Sequence, residues 1–290
     1  MQNLPLVSVI CISYNHEPYV IESLTSVMNQ TYPNIELIIA DDHSTDNSVT
    51  VIKSWIQKNK YNFPILTNKV NLGNTKTFNQ ALQITTGKFI IDLAADDILL
   101  PNCIEEQIKA FYTSKKLGVV YGNIELIDEN KAFLGNYYNK DDVPESGDIY
   151  KMVIGLSTKI CSVAAMVKKE VFEKVGYYDA NLAYEDLDLW IRASRVYDFQ
   201  YIPKVLAKKR ELTNSLSAHF FKKNNRKTKK IHASTYQILQ KALTLNKNKS
   251  EHKALLKRIR YEFLRNIYSR NYSYIFKYLY FYTKVWLKSI

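Results

Sequence analysis

Residues 6–13 (LVSVICIS) form an almost unbroken apolar, β-branched run, the pattern of a strand covered on both faces. Residues 35–40 (IELIIA) and 88–93 (KFIIDL) repeat it, and 63–67 is a shorter version. Between these runs the apolar positions fall three or four apart. Val20, Leu24, Val27 and Met28 do so within 17–29, Val49, Ile52 and Ile56 beyond Asp46, and the stretch 75–84 follows suit. Such spacing predicts helices. Asp46 stands where an N-cap belongs, and Pro101 at the first-turn position of a helix over 101–112.

Strand–helix–strand alternation predicts an α/β fold with a mostly parallel sheet flanked by helices, which binds ligands outside the carboxyl ends of its strands. Two acidic pairs fall there: Asp41-Asp42 after the second run and Asp96-Asp97 after the fourth. Beyond residue 115 the pattern loosens to strands near 118–127 and 161–167, a helix over 184–197 and strands near 199–211. That reads as a mixed second half receiving another substrate. Residues 221–290 look helical, with Ile231, Thr235, Ile238, Leu239 and Ala242 on one face and Leu256, Ile259, Phe263 and Ile267 on another.

The acidic pairs carry the candidate chemistry. Asp96 and Asp97 sit on a turn where their oxygens can converge, and hard cations such as Mg²⁺ or Mn²⁺ take one or two carboxylates plus substrate phosphates. A solvated turn is the bland alternative, weakened by a second Asp-Asp closing a neighbouring strand. Asp42 can accept the N–H of a uracil or thymine ring; with Asp46 filling the cap, it is left little structural work. Asp186, at the start of a helix facing Leu187, Trp190 and Ile191 inward, can serve as a base toward a hydroxyl. An acidic first turn favoured by the helix dipole is the alternative there.

Charge divides the chain. The net +12 resolves into −4 for residues 1–219 and +16 for 220–290, where Glu251 and Glu262 are the only acids. The last stretch interleaves tyrosine, phenylalanine and Trp286 with Lys277, Lys284 and Lys288, a composition suited to an anionic membrane interface. A helical appendage with a solvated basic face is the alternative. Nucleic-acid binding is not expected, since the acidic first part gives it no purpose. The three cysteines, far apart in apolar runs, read as buried thiols. No secretory signal and no spanning segment is evident, so a cytoplasmic protein is expected, peripheral at the inner face of the cell membrane. None of the eight glycines forms the Gly-x-Gly-x-x-Gly turn a dinucleotide-dependent oxidoreductase needs.

In order along the chain, Val7-Ser-Val-Ile-Cys-Ile-Ser-Tyr-Asn15, Glu36-Leu-Ile-Ile-Ala-Asp-Asp-His-Ser-Thr-Asp46, Asn71-Leu-Gly73, Thr86 to Asp97, Gly176-Tyr-Tyr-Asp-Ala180 and Glu185-Asp186 resemble the signature of family 2 glycosyltransferases with the GT-A fold. The resemblance runs from about residue 6 to 217. It implies a GT-A catalytic domain over 1–219, with a nucleotide-sugar half (1–100) and an acceptor half (101–219), and a basic aromatic helical extension over 220–290. It implies nucleotide contacts from Ser13, Tyr14, Glu17, Asp42 and Asp96, with Tyr14 against the base, Asp42 on its N3–H and Asp96 near the ribose. Asp97 would hold a divalent metal, Mg²⁺ or Mn²⁺, and Asp186 would be the general base of an inverting displacement. Lys76, Glu185 and Arg210 would meet the diphosphate or acceptor. The implied reaction moves a sugar from a UDP-sugar, or a dTDP-sugar, to a glycan or lipid-linked glycan in bacterial polysaccharide biosynthesis. A nucleotide-sugar-binding protein without transferase activity is the alternative. One departure stands out: Leu212 occupies the position of the family's usual histidine after Lys209-Arg210-Glu211, which leaves His219 as a substitute only if the loop folds back.

Overall fold

The computed structural model describes residues 4–139, 141, 143–155, 160–212 and 225–290. In chain order its elements are β1 (Val7–Ser13), α1 (Val20–Met28), β2 (Ile35–Asp41), α2 (Ser48–Asn59), β3 (Ile65–Thr67), α3 (Asn74–Gln83), β4 (Phe89–Ala94), β5 (Ile98–Leu99), α4 (Cys103–Phe111), β6 (Leu117–Ile127) and β7 (Phe133–Asn136). There follow α5 (Tyr150–Ile154), β8 (Ala165–Lys168), α6 (Lys169–Val175), α7 (Asp186–Ser194), β9 (Asp198–Arg210), α8 (Arg226–Leu245), α9 (Lys249–Tyr268) and α10 (Tyr272–Ser289).

The elements gather into two compact units. The first comprises residues 1–147, 160–177 and 198–211 and holds one sheet in the order β3-β2-β1-β4-β8-β6-β9-β5, with β7 beside β6. Strands β3, β2, β1 and β4 are parallel, as their two-sided burial predicts; β8 then runs antiparallel to both β4 and β6, and the sheet becomes mixed. Strand β1 lies between β2 and β4, so the chain leaves it first to one side and later to the other. That reversal makes a switch point, with a crevice at the carboxyl ends of β1 and β4.

Alternation places Val7, Val9 and Cys11 in a core cluster with Leu24 and Val27 of α1 and Ile104 and Ile108 of α4. The intervening Ile10 and Ile38 are equally buried, and α3 packs on β1 and β2. Two local expectations are corrected. Helix α4 begins at Cys103 behind Asn102, so Pro101 lies in the preceding turn. Helix α2 begins at Ser48, and Asp46 caps it from two residues upstream, accepting the Ser48 amide at 2.9 Å.

The second unit comprises residues 148–159, 178–197 and 212–290: α5, α7 and the three long C-terminal helices. The segment carrying Asp186 therefore shares a compact unit with the basic extension. Within it Ala183 donates to Ser234 at 2.8 Å, Tyr184 and Thr235 share a hydrogen bond at 2.7 Å, and Arg195 meets Glu251 at 2.9 Å. The predicted α8 face is buried throughout. The face expected for α9 is not: Ile267 is 45% exposed, and the buried stripe runs through Leu255, Arg258, Ile259, Glu262 and Asn266. An apolar count misses this stripe because Arg258 and Glu262 enter it as an ion pair at 2.8 Å.

Candidate active site

The loops after β1 and β2 are tied to each other by side chains. Asn15, with φ 58°, accepts the Thr45 amide on its Oδ1 at 2.7 Å and donates its own amide to Ser44 Oγ at 2.9 Å. The His16 amide donates to Ser48 Oγ at 3.0 Å, and the Glu17 amide to Asp46 at 3.0 Å. Glu17 in turn accepts the Asn47 amide and side chain at 3.2 and 3.0 Å, so its carboxylate braces the loop. Beside these ties Tyr14 is 44% exposed. Lys76 is exposed on α3.

Asp42 does more structural work than its sequence context suggests. It is buried, and its carboxylate accepts the amides of Leu72 and Gly73 at 2.8 Å each, Asn68 Nδ2 at 2.9 Å and Thr77 Oγ1 at 2.9 Å. Three of these donors converge on Oδ1 and the Gly73 amide takes Oδ2, so the carboxylate is heavily committed to its own loop. Gly73, at φ +88°, lets two successive amides turn onto it. The carboxylate of Asp41 is bonded, among the described residues, only by Ser44: the amide at 2.8 Å and the hydroxyl at 2.6 Å. It keeps acceptor capacity, and its strand neighbour in register is Ser13, whose buried hydroxyl has no partner among the described residues. The register of β1 against β2 was the signal that pointed to Asp41.

The turn after β4 carries Asp96 and Asp97. Asp97 is buried and accepts the Arg210 amide at 2.9 Å. Burial, and then the neighbouring Asp96 carboxylate, push its carboxyl well above the usual range; the Arg210 amide and Lys209 pull the other way. Asp96 lies 3.8 Å from His16 Nε2, which joins the β1 and β4 loops across the crevice. Adjacent carboxylates whose charge is incompletely balanced, offering hard oxygen donors, fit a divalent cation. Among the described residues no cluster of three His, Cys, Asp or Glu side chains that could hold a metal ion forms. His219 lies outside the described residues.

Arg210 does not match the expected ligand contact. Its side chain is 1% exposed and is spent on the chain itself: Nε on the Asp96 carbonyl at 3.1 Å, Nη1 on the Asp128 and Glu129 carbonyls at 3.1 and 3.2 Å, and Nη2 on Glu22 at 3.0 Å. The guanidinium also lies 4.6 Å from the Tyr19 ring centroid. It pins the acidic turn to α1 and to the β6–β7 turn.

The second unit holds Glu185 at the N-cap of α7 and Asp186 as its first residue. Burial raises the Asp186 carboxyl above its ordinary value, opposed by the amides of Leu187, which donates at 2.7 Å, and of Asp186 itself, and by the charge of Arg258. Leu187, Trp190 and Ile191 are buried as predicted. Asp188, two residues on, is fully engaged with Arg192 at 2.7 Å and Lys241 at 3.0 Å. Among the described residues Asp186 makes no ion pair, whereas Asp188 in the same first turn makes two, a distinction the sequence alone does not draw.

A family model described as Glycosyl transferase family 2 matches residues 8–176. An uncharacterized glycosyltransferase of Haemophilus influenzae is 31% identical over 244 residues, covering 80% of this chain and 73% of that protein. The solved structure of S. aureus TarS 1-349 in complex with UDP-GlcNAc superposes with a TM-score of 0.65 at 19% identity, over 92% of this chain and 74% of that one. The mannosyltransferase PcManGT from Pyrobaculum calidifontis, in complex with GDP-Man and Mn²⁺, gives 0.64 at 17% identity, over 92% and 72%. At these identities the solved structures speak for the fold, which is of the GT-A type.

Proposed function

Because the chain belongs to glycosyl transferase family 2, we propose that it is an inverting glycosyltransferase using a UDP-sugar, or a dTDP-sugar bearing the same N3–H, with a hydroxyl of a glycan or lipid-linked glycan as acceptor. The setting would be bacterial polysaccharide assembly, with the enzyme peripheral at the inner face of the membrane through its C-terminal helices. The observation that carries the reading is the buried carboxylate turn Asp96-Asp97 beside the loops of β1 and β2 at the switch point.

Tyr14 would cover the base. Asp41 would take its N3–H, the role first expected of Asp42, because Asp42 already accepts four hydrogen bonds and Asp41 two. Ser13 would add its hydroxyl and Asp96 would face the ribose. A Mg²⁺ or Mn²⁺ ion on Asp97 would supply charge neutralisation for the departing diphosphate. Asp186 would take the proton of the acceptor hydroxyl as its oxygen bonds the anomeric carbon. The bond from that carbon to the diphosphate breaks, and the nucleoside diphosphate leaves with the electron pair. A base whose carboxyl is raised toward neutral pH transfers a proton more effectively than an ordinary aspartate.

The test is a donor-hydrolysis and thermal-shift screen of sugar nucleotides with Mg²⁺ or Mn²⁺. A metal-dependent response to a uridine or thymidine donor, lost in Asp97→Ala, is expected. A response indifferent to metal counts against Asp97, and unchanged turnover in both Asp97→Ala and Asp186→Ala sinks the transferase mechanism.

A further inference from the structure

A helix that packs on a protein with one face should present its most polar face on the opposite side. Helix α10 does the reverse. Its buried stripe is Tyr278, Phe281 and Val285. Opposite, spaced four, four and seven apart, stand Tyr272, Phe276, Tyr280 and Leu287, exposed by 64, 74, 70 and 64%. Lys277, Lys284 and Lys288, spaced seven and four apart, are also exposed and form one border of this stripe. Helix α9, packed against α10, continues the pattern: Leu264 and Tyr268 are 55 and 67% exposed near the connection, and Lys253, Lys257 and Arg260 are exposed toward its start.

The acids of these helices do not offset that charge. Glu251 is buried against Arg195, and Glu262 against Arg258 and Arg265. Every charged side chain exposed on α9 and α10 is therefore cationic. Between the two helices a cleft of about 270 Å³ is lined by Ile259, Phe263, Tyr278, Leu279 and Tyr282, with Arg260 beside it.

We propose that the outer face of α9 and α10 is a docking surface for an anionic lipid bilayer, with Phe276, Tyr280 and Leu287 entering the interface, the lysine border on lipid phosphates, and the cleft taking an acyl chain beside Arg260. The inference rests on the peripheral-membrane part of the proposed function and not on its transferase part. Charge decides the occupant: a second copy of this face would set cations against cations, whereas anionic headgroups complement them. The exposed rings of this face suit either a lipid interface or nucleic-acid bases, but the aliphatic Leu264, Leu279 and Leu287 favour lipid, since acyl chains bury them and bases do not stack on them. Among the described residues no helix is long and apolar enough to cross a membrane, so the helices would lie in the interface plane.

The experiment is flotation of the full chain with vesicles of phosphatidylcholine alone or mixed with phosphatidylglycerol, with Trp286 emission followed in parallel. Selective binding to the anionic vesicles and a blue shift that Trp286→Phe removes are expected. The Lys277→Gln/Lys284→Gln/Lys288→Gln variant should bind about a hundredfold more weakly, and Phe276→Ser/Leu287→Ser about tenfold or more. Equal binding to neutral vesicles, or full binding by both variants, overturns the proposal. So does a dimer abolished by Phe276→Ser, or oligonucleotide binding that displaces the vesicles. Donor hydrolysis without vesicles is measured on the same proteins: its presence in both variants shows they are folded, and its absence from the wild type indicts the transferase reading alone.

Discussion

Replacing Asp42 by Asn tests how the two neighbouring aspartates divide their work. The carboxylate accepts two backbone amides, one side-chain amide and one hydroxyl, all between 2.8 and 2.9 Å. An asparagine keeps one oxygen, with about two acceptor positions, and turns an NH₂ toward the donor that had faced the other oxygen. Three donors face Oδ1 and the Gly73 amide alone faces Oδ2, so an asparagine with its oxygen at Oδ1 loses one hydrogen bond to a charged group, which should cost on the order of 1.5–3 kcal/mol. Asp41→Asn removes at most its two contacts with Ser44, which the asparagine oxygen can partly keep, and should cost about 1–2 kcal/mol. Because the chain has two compact units, a single melting temperature would mix them, and local hydrogen exchange is the better measure. Asp42→Asn should raise exchange across residues 68–77 whether or not a nucleotide is bound. Asp41→Asn should leave that segment protected and weaken uridine-nucleotide binding. If Asp42→Asn keeps wild-type protection while Asp41→Asn binds nucleotide normally, the assignment is wrong.

Further outcomes follow from the same geometry. Asp186→Asn should abolish glycosyl transfer while donor affinity stays within about twofold; a tenfold loss of affinity, 1.4 kcal/mol, would place the residue in the donor site instead. In the wild type, transfer should rise with pH as Asp186 loses its proton, with a midpoint above the ordinary aspartate value of about 3.9; a midpoint at or below it removes the residue as the base. Arg210→Ala leaves the Asp96, Asp128 and Glu129 carbonyls without their donor and should cost about 3–5 kcal/mol, seen as faster exchange over residues 94–99. Arg210→Lys should not restore it, because a single ammonium cannot span those carbonyls and Glu22; full protection in the lysine variant would refute the pin. Gly73→Ala meets no atom within 4 Å, so its penalty of about 1–3 kcal/mol should come from the backbone alone, at φ +88° and ψ 153°. An unchanged exchange rate at Leu72 would show that the turn does not depend on glycine.

The parallel half of the sheet was readable from the chain because its strands are buried on both faces and announce themselves as apolar runs. The acidic ends of β2 and β4 followed from that. What could not be read was where polar side chains spend their hydrogen bonds. Asp42 looked idle because the amides that bond to it, those of Leu72 and Gly73, arrive from about 30 residues away. Arg210 looked available because nothing in Lys209-Arg210-Glu211 tells that three carbonyls and Glu22 await its guanidinium. The α9 face was misjudged for a related reason: an apolar period cannot represent a core stripe that contains an arginine and a glutamate neutralising each other.

The interleaving of the two units also sets an order of events during synthesis. The last residue of the first unit, Glu211, is added to the chain before any residue of the three long helices. At about 5–20 residues per second, residues 212–290 then take on the order of 4–16 s to appear. Throughout that interval the nucleotide-binding sheet has all its strands, while α7 lacks the α8 and α9 side chains, Ser234, Thr235, Lys241 and Glu251, that its neighbourhood is built on. If Asp186 acts as proposed, a nascent chain would have every strand of its sheet synthesised seconds before Asp186 has its settled surroundings, and a chain stopped early would lack the transfer step.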